Sequence, residues 1–117
     1  FIGTPKMNIL PLNNENIVSD NKINFLGNEI IFEKIKFDKK KYFLGIRPEH
    51  FNLSSSSQFK IKPKIDLVEN LGNEKIVYMS NDNLELSAKI SSQEDFQNEI
   101  NFDSKDIFIF DEDGNRI

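Results

Sequence analysis

The sequence predicts an all-β fold, and three observations lead there. Its apolar runs are short and recur roughly every 8–12 residues, the spacing of a small sandwich or barrel. Gly, Asn, Asp and Pro stand between the runs as turn signals. One stretch alternates with period two: Phe59, Ile61, Ile65 and Leu67 on one side, Lys60, Lys62, Lys64 and Asp66 on the other. That periodicity gives a strand with one face buried and one wet.

Along the chain, strands are expected from Asn8 onward. Ile23-Asn24-Phe25-Leu26 and Glu29-Ile30-Ile31-Phe32 flank Gly27-Asn28 and should form a tight hairpin, with Ile35-Lys36-Phe37 extending the alternation until Lys39-Lys40-Lys41 ends it. Tyr42-Phe43-Leu44-Gly45-Ile46 is apolar throughout and too short for a helix, so it reads as a buried strand. Arg47-Pro48 breaks the ladder, because Pro has no backbone donor. Residues 54–57 are four serines in a loop, and Pro63 places an edge or a bulge in the alternating stretch. Gly72-Asn73 turns the chain into Lys75-Ile76-Val77-Tyr78-Met79, and Asn81-Asp82-Asn83 turns it again into Leu84-Glu85-Leu86-Ser87-Ala88-Lys89-Ile90. Residues 93–98 are the one expected helical turn of the second half. Asp106-Ile107-Phe108-Ile109-Phe110 is the last strand, and Asp111-Glu112-Asp113-Gly114-Asn115 turns after it.

Composition narrows the function. The 117 residues suit one domain, here taken as 1–117. There is no Cys, hence no disulfide framework or thiolate metal site, and no apolar run approaches the roughly 18 residues that span a bilayer. A net charge of −4 argues against nucleic acid, whose binders concentrate positive charge on one face. The Phe-bearing strands are expected to be core rather than base-stacking platforms, Phe108 and Phe110 included. His50, the one His, lacks the companions that a zinc site needs. Asp111-x-Asp113-Gly114 approaches a calcium loop, but Arg116 stands where the loop glycine belongs. The five glycines are too dispersed for a phosphate cradle, so no catalysis and no cofactor is expected of the chain itself.

Four stretches carry a family resemblance: Phe1-Ile2-Gly3-Thr4-Pro5-Lys6-Met7-Asn8, Gly45-Ile46-Arg47-Pro48-Glu49-His50, Val68-Glu69-Asn70-Leu71-Gly72-Asn73-Glu74, and Ile109-Phe110-Asp111-Glu112-Asp113-Gly114-Asn115-Arg116-Ile117. In this order they resemble the C-terminal transport-associated OB (TOBE) domain of maltose- and glycerol-3-phosphate-type ABC importer ATP-binding subunits. The resemblance implies an OB-like small barrel, with room for a second small strand cluster. It also implies that the chain is a piece of a longer ATPase subunit, which would bind ATP and Mg²⁺ elsewhere. Such a domain would be regulatory and would hold a homodimer together. Its partners would be its own ATPase domain, a second copy, membrane permease subunits through the parent and a regulatory protein. The place would be cytoplasmic, at the inner face of the membrane.

The contact residues expected on this basis are Arg47, Pro48, Glu49 and His50 at one corner, and Glu69, Asn70, Leu71, Gly72 and Asn73 at a turn. Both have a plainer reading. The corner could be pinned by a local Arg–carboxylate bond, and Leu71 could tuck back onto the barrel. A rival function, a small-ligand or oxyanion binder of OB-like fold, would need a pocket of N–H groups and hydroxyls, and residues 54–57 are the cluster that offers hydroxyls.

Overall fold

A computed structural model describes residues 6–38, 41–54, 56–96 and 98–117. Within them the chain forms eleven strands: β1 (Asn8–Leu12), β2 (Ile17–Ser19), β3 (Lys22–Phe25), β4 (Asn28–Ile31), β5 (Tyr42–Ile46), β6 (Phe59–Ile61), β7 (Lys64–Asn70), β8 (Glu74–Asn81), β9 (Leu84–Ser91), β10 (Ile100–Phe102) and β11 (Ile107–Asp111). Three one-turn 3₁₀ segments join them, at Asn14–Asn16, Pro48–His50 and Ser104–Asp106. The strands pair antiparallel in four small sheets, ordered β1-β5-β11, β2-β3-β4, β7-β8-β9 and β6-β10. The fold is all-β and compatible with an OB-like small barrel.

One core joins the sheets. Leu10, Leu12, Leu44, Ile46 and Ile109 point inward from the β1-β5-β11 sheet, and Val77, Met79, Leu86, Ala88 and Ile90 from β8 and β9. Phe102 is the aromatic centre. Its ring lies 6.3 Å from that of Phe25, 6.0 Å from Phe51 and 5.4 Å from Phe59, so strands from separate sheets meet on one side chain.

The hairpin of β3 and β4 forms as expected, shifted by one residue. Phe25 pairs with Asn28, so the turn is Leu26-Gly27, and both carry positive φ (50° and 84°). A two-residue turn with two positive φ values matches the right-handed strand twist, and it leaves Asn28 inside β4.

Three expectations fail. Ile35-Lys36-Phe37 is not a strand, although Phe37 is buried. It reaches the core on irregular backbone, held by its N–H to Asp20 O (2.6 Å) and by Asp38 N–H to Tyr42 Oη (3.0 Å). The alternating stretch around residue 60 is two strands in two sheets, split at Lys62-Pro63, where the missing donor ends one ladder. Leu67 is then 60% exposed, because Asp66 is an extra residue between the Ile65–Met79 and Leu67–Tyr78 pairs and the bulge changes which side chains face inward. The described part of 93–98 contains no helix. Lys39, Lys40, Ser55, Gln97 and residues 1–5 of the first resembling stretch lie outside the described residues.

Candidate contact surfaces

The corner at residues 47–50 grows out of β5. Gly45 is required there by close approach: a Cβ would lie 2.6 Å from Met7 Sδ and 2.8 Å from Phe110 Cε2. Pro48 opens the 3₁₀ turn and is buried, while Arg47 and Glu49 remain exposed. The turn packs on β9. Arg47 makes no ion pair among the described residues, so the expected Arg–carboxylate pin is absent. Its guanidinium instead lies 6.0 Å from the centre of the Phe108 ring, with Arg116 at 4.6 Å from the same ring. His50 is half-buried. Its Nδ1 is buried without a hydrogen-bond partner, 3.9 Å from Asp106 Oδ1. Among the described residues no group of His, Asp and Glu gathers to hold a metal.

The second surface is the tip joining β7 to β8. Gly72 takes the positive φ (94°) that the turn demands. The tip is held by Leu71 N–H to Glu74 O (2.8 Å), Gly72 N–H to Asn70 Oδ1 (3.2 Å) and Ser92 N–H to Asn73 O (2.9 Å). Leu71 does not tuck back: it is 44% exposed, between the exposed Glu69 and Glu74. Glu74 pairs with Lys89 at 3.3 Å.

The two surfaces are not brought into one site. The corner sits near Ser87, because Asn8 joins the end of β5 to Ser87, whereas the tip lies by Ser91, the partner of Glu74. Four residues of strand separate them, about 13 Å. Among the described residues no hydrogen bond or ion pair links them.

Two features escaped sequence reasoning. Asn8 is buried, and its amide acts as a peptide group added to the free edge of β9. Its Nδ2–H donates to Ser87 O (2.9 Å) and Ile46 O (3.0 Å), and its Oδ1 accepts from Ser87 N–H (2.8 Å) and Oγ–H (3.3 Å). The signal was an Asn opening an otherwise apolar strand. The other feature is the outward face of the β1-β5-β11 sheet. The register places Ile9, Gly45 and Phe108 in one row and Pro11, Phe43 and Phe110 in the next, all facing away from the core. Phe108 and Phe110 are therefore not core side chains but half-buried ones on that face. An apolar set on both sides of a strand marks one covered twice, and Ile107-Phe108-Ile109-Phe110 has that pattern.

The described serines of the cluster, Ser54, Ser56 and Ser57, make hydrogen bonds within the loop. Ser54 and Ser56 Oγ lie 2.7 Å apart, and Ser57 Oγ–H donates to Asn52 Oδ1. The Asp111 carboxylate likewise accepts the N–H groups of Asp113 and Asn115 (3.0 and 2.9 Å), closing the last turn. Among the described residues no helix is long and apolar enough to cross a membrane.

No protein-family model matches the chain. Among proteins of known function, it is 38% identical over 86 residues to the maltose/maltodextrin import ATP-binding protein MalK of Vibrio cholerae, covering 68% of this chain and 23% of that protein. The same-named proteins of Yersinia pseudotuberculosis and Vibrio vulnificus are each 33% identical, over 84 and 85 residues, with the same coverage. The chain thus spans about a quarter of the length of the curated relatives it matches. Over two thirds of its own length, this chain is homologous to a segment of the MalK maltose import ATP-binding proteins.

Proposed function

We propose that this chain is a non-catalytic regulatory domain of the ATP-binding subunit of a bacterial ABC importer for sugars or related solutes, and that it holds two such subunits together. The observation that supports the reading is the homology to MalK proteins, beside two turns that present exposed side chains, Arg47 and Glu49 at one and Glu69 and Leu71 at the other. In the parent, self-association about a two-fold axis would keep two ATPase domains near one another while they open and close. Tethering makes their reunion intramolecular, with an effective concentration of order millimolar for short flexible connections.

ATP and Mg²⁺ would be bound by the rest of the parent. Partners in this reading are the parent's ATPase domain, a second copy, membrane permease subunits reached through the parent and a regulatory protein. The place is cytoplasmic, at the inner face of the membrane.

Sedimentation equilibrium of the chain across micromolar to millimolar concentrations tests the holding role. A reversible monomer–dimer equilibrium is expected, and a monomer throughout overturns it. Calorimetric titration with ATP–Mg²⁺, molybdate, sulfate and maltose should give no stoichiometric heat. Tight binding of an oxyanion or sugar would instead support a ligand-binding domain.

A further inference from the structure

The tip of the β7–β8 hairpin and the outward face of the β1-β5-β11 sheet are complementary. The face holds a hollow of about 220 Å³ lined by Ile9, Phe43, Phe110 and Gly114. Ile9 is 50% exposed at its rim, which is unusual for an apolar side chain on a sheet already packed on its other side. Three cations stand over the rings of this face: Lys41 at 5.8 Å from Phe43, with Arg47 and Arg116 on Phe108. Acidic residues border it too: Glu49 beside Arg47, and Asp111, Glu112 and Asp113 at the turn after β11, where the Asp111 carboxylate accepts the Asp113 and Asn115 N–H groups. The tip presents one exposed aliphatic side chain, Leu71, beside the exposed Glu69, which no ion pair among the described residues engages, while Glu74 is paired with Lys89.

We propose that these unlike surfaces bind each other across two copies of the chain. Leu71 of one copy enters the hollow of the other, and its Glu69 meets Arg47 or Arg116 at the Phe108 end, away from Glu112 and Asp113. Under a two-fold axis the contact occurs twice, since whatever the tip of one copy does to the face of its partner is returned. The aliphatic side chain supplies burial and the charges supply register, the usual division of labour at an interface. This rests on the self-association proposed above and identifies the surfaces that carry it.

A mixing experiment tests it. One variant alters the tip (Glu69→Lys with Leu71→Asp), the other the face (Ile9→Asp with Arg116→Glu). All four positions are exposed, and thermal melts check that both variants fold. Each variant alone should self-associate at least about tenfold more weakly than the native chain. Mixed in equal amounts, the two should form a heterodimer of intermediate affinity, because one intact tip still meets one intact face. Two variants that dimerise like the native chain, or that stay monomeric alone and mixed while the native chain dimerises, would overturn the tip-to-face contact and leave self-association standing. A native chain monomeric to about 1 mM, weaker than roughly 4 kcal/mol, overturns both.

Discussion

Replacing Asn8 by Ala removes an amide that serves four hydrogen bonds and joins two sheets. Two of its partners are backbone carbonyls, Ile46 O and Ser87 O, and a third is the Ser87 N–H on the edge of β9. The Ser87 hydroxyl, at 3.3 Å, can rotate to another acceptor and counts for little. Each of the other three loses a bond worth about 1 kcal/mol net, with a larger loss for any group left buried and dry. A destabilisation of about 3 kcal/mol follows. For 117 residues the unfolding entropy near the midpoint is about 0.25 kcal/mol/K, so Tm should fall by roughly 12 °C. Urea unfolding followed by circular dichroism measures the same change as a lower midpoint at constant slope. Ser87→Ala is the control and should cost no more than about 0.5 kcal/mol. Asn8→Asp should be at least as harmful as Ala, because a buried carboxylate would face two carbonyl oxygens. If Asn8→Ala loses less than about 1 kcal/mol, Asn8 does not clamp the sheets.

Phe102→Ala removes the ring shared by Phe25, Phe51 and Phe59 and should cost about 3–5 kcal/mol, read as a urea midpoint. Gly45→Ala should cost about 1–3 kcal/mol through overpacking against Met7 and Phe110, and Met7→Ala in the same chain should recover part of the loss. Gly27→Ala meets no atom within 4 Å, so its penalty of about 1 kcal/mol is the positive φ alone, and Gly27→Asn should lose less in the same melt. Leu71→Asp by itself should leave Tm within about 2 °C while weakening self-association, since the side chain is already half in water.

The ladders were legible where local chemistry decides them. Apolar runs bounded by Gly, Asn and Asp gave β5, β8, β9 and β11, and the turns at Gly72 and Asp82 fell where Gly, Asn and Asp tolerate positive φ. The β3–β4 turn was off by one because Leu26, a poor αL residue, is held there by the register of its flanking strands and by packing against the core. The candidate contact residues were legible as two turns, yet their exposure was not. A bulge at Asp66 sends Leu67 outward, and the hydrogen bonds at residues 70–74 hold Leu71 away from the body.

By itself the sequence determined the all-β class, the order of most strands and the likeness to importer ATP-binding subunits, because period, turn residues and motif order are properties of neighbours along the chain. Tertiary structure alone decided which sheet each strand joins. It set Asn8 against Ser87, 79 residues away, and turned Phe43, Phe108 and Phe110 outward, with Lys41 over the Phe43 ring and Arg47 and Arg116 over that of Phe108. The reason is that a strand's alternation fixes two faces but not which one meets the core. That choice is made by the other sheets that pack against it, and their side chains come from distant parts of the chain.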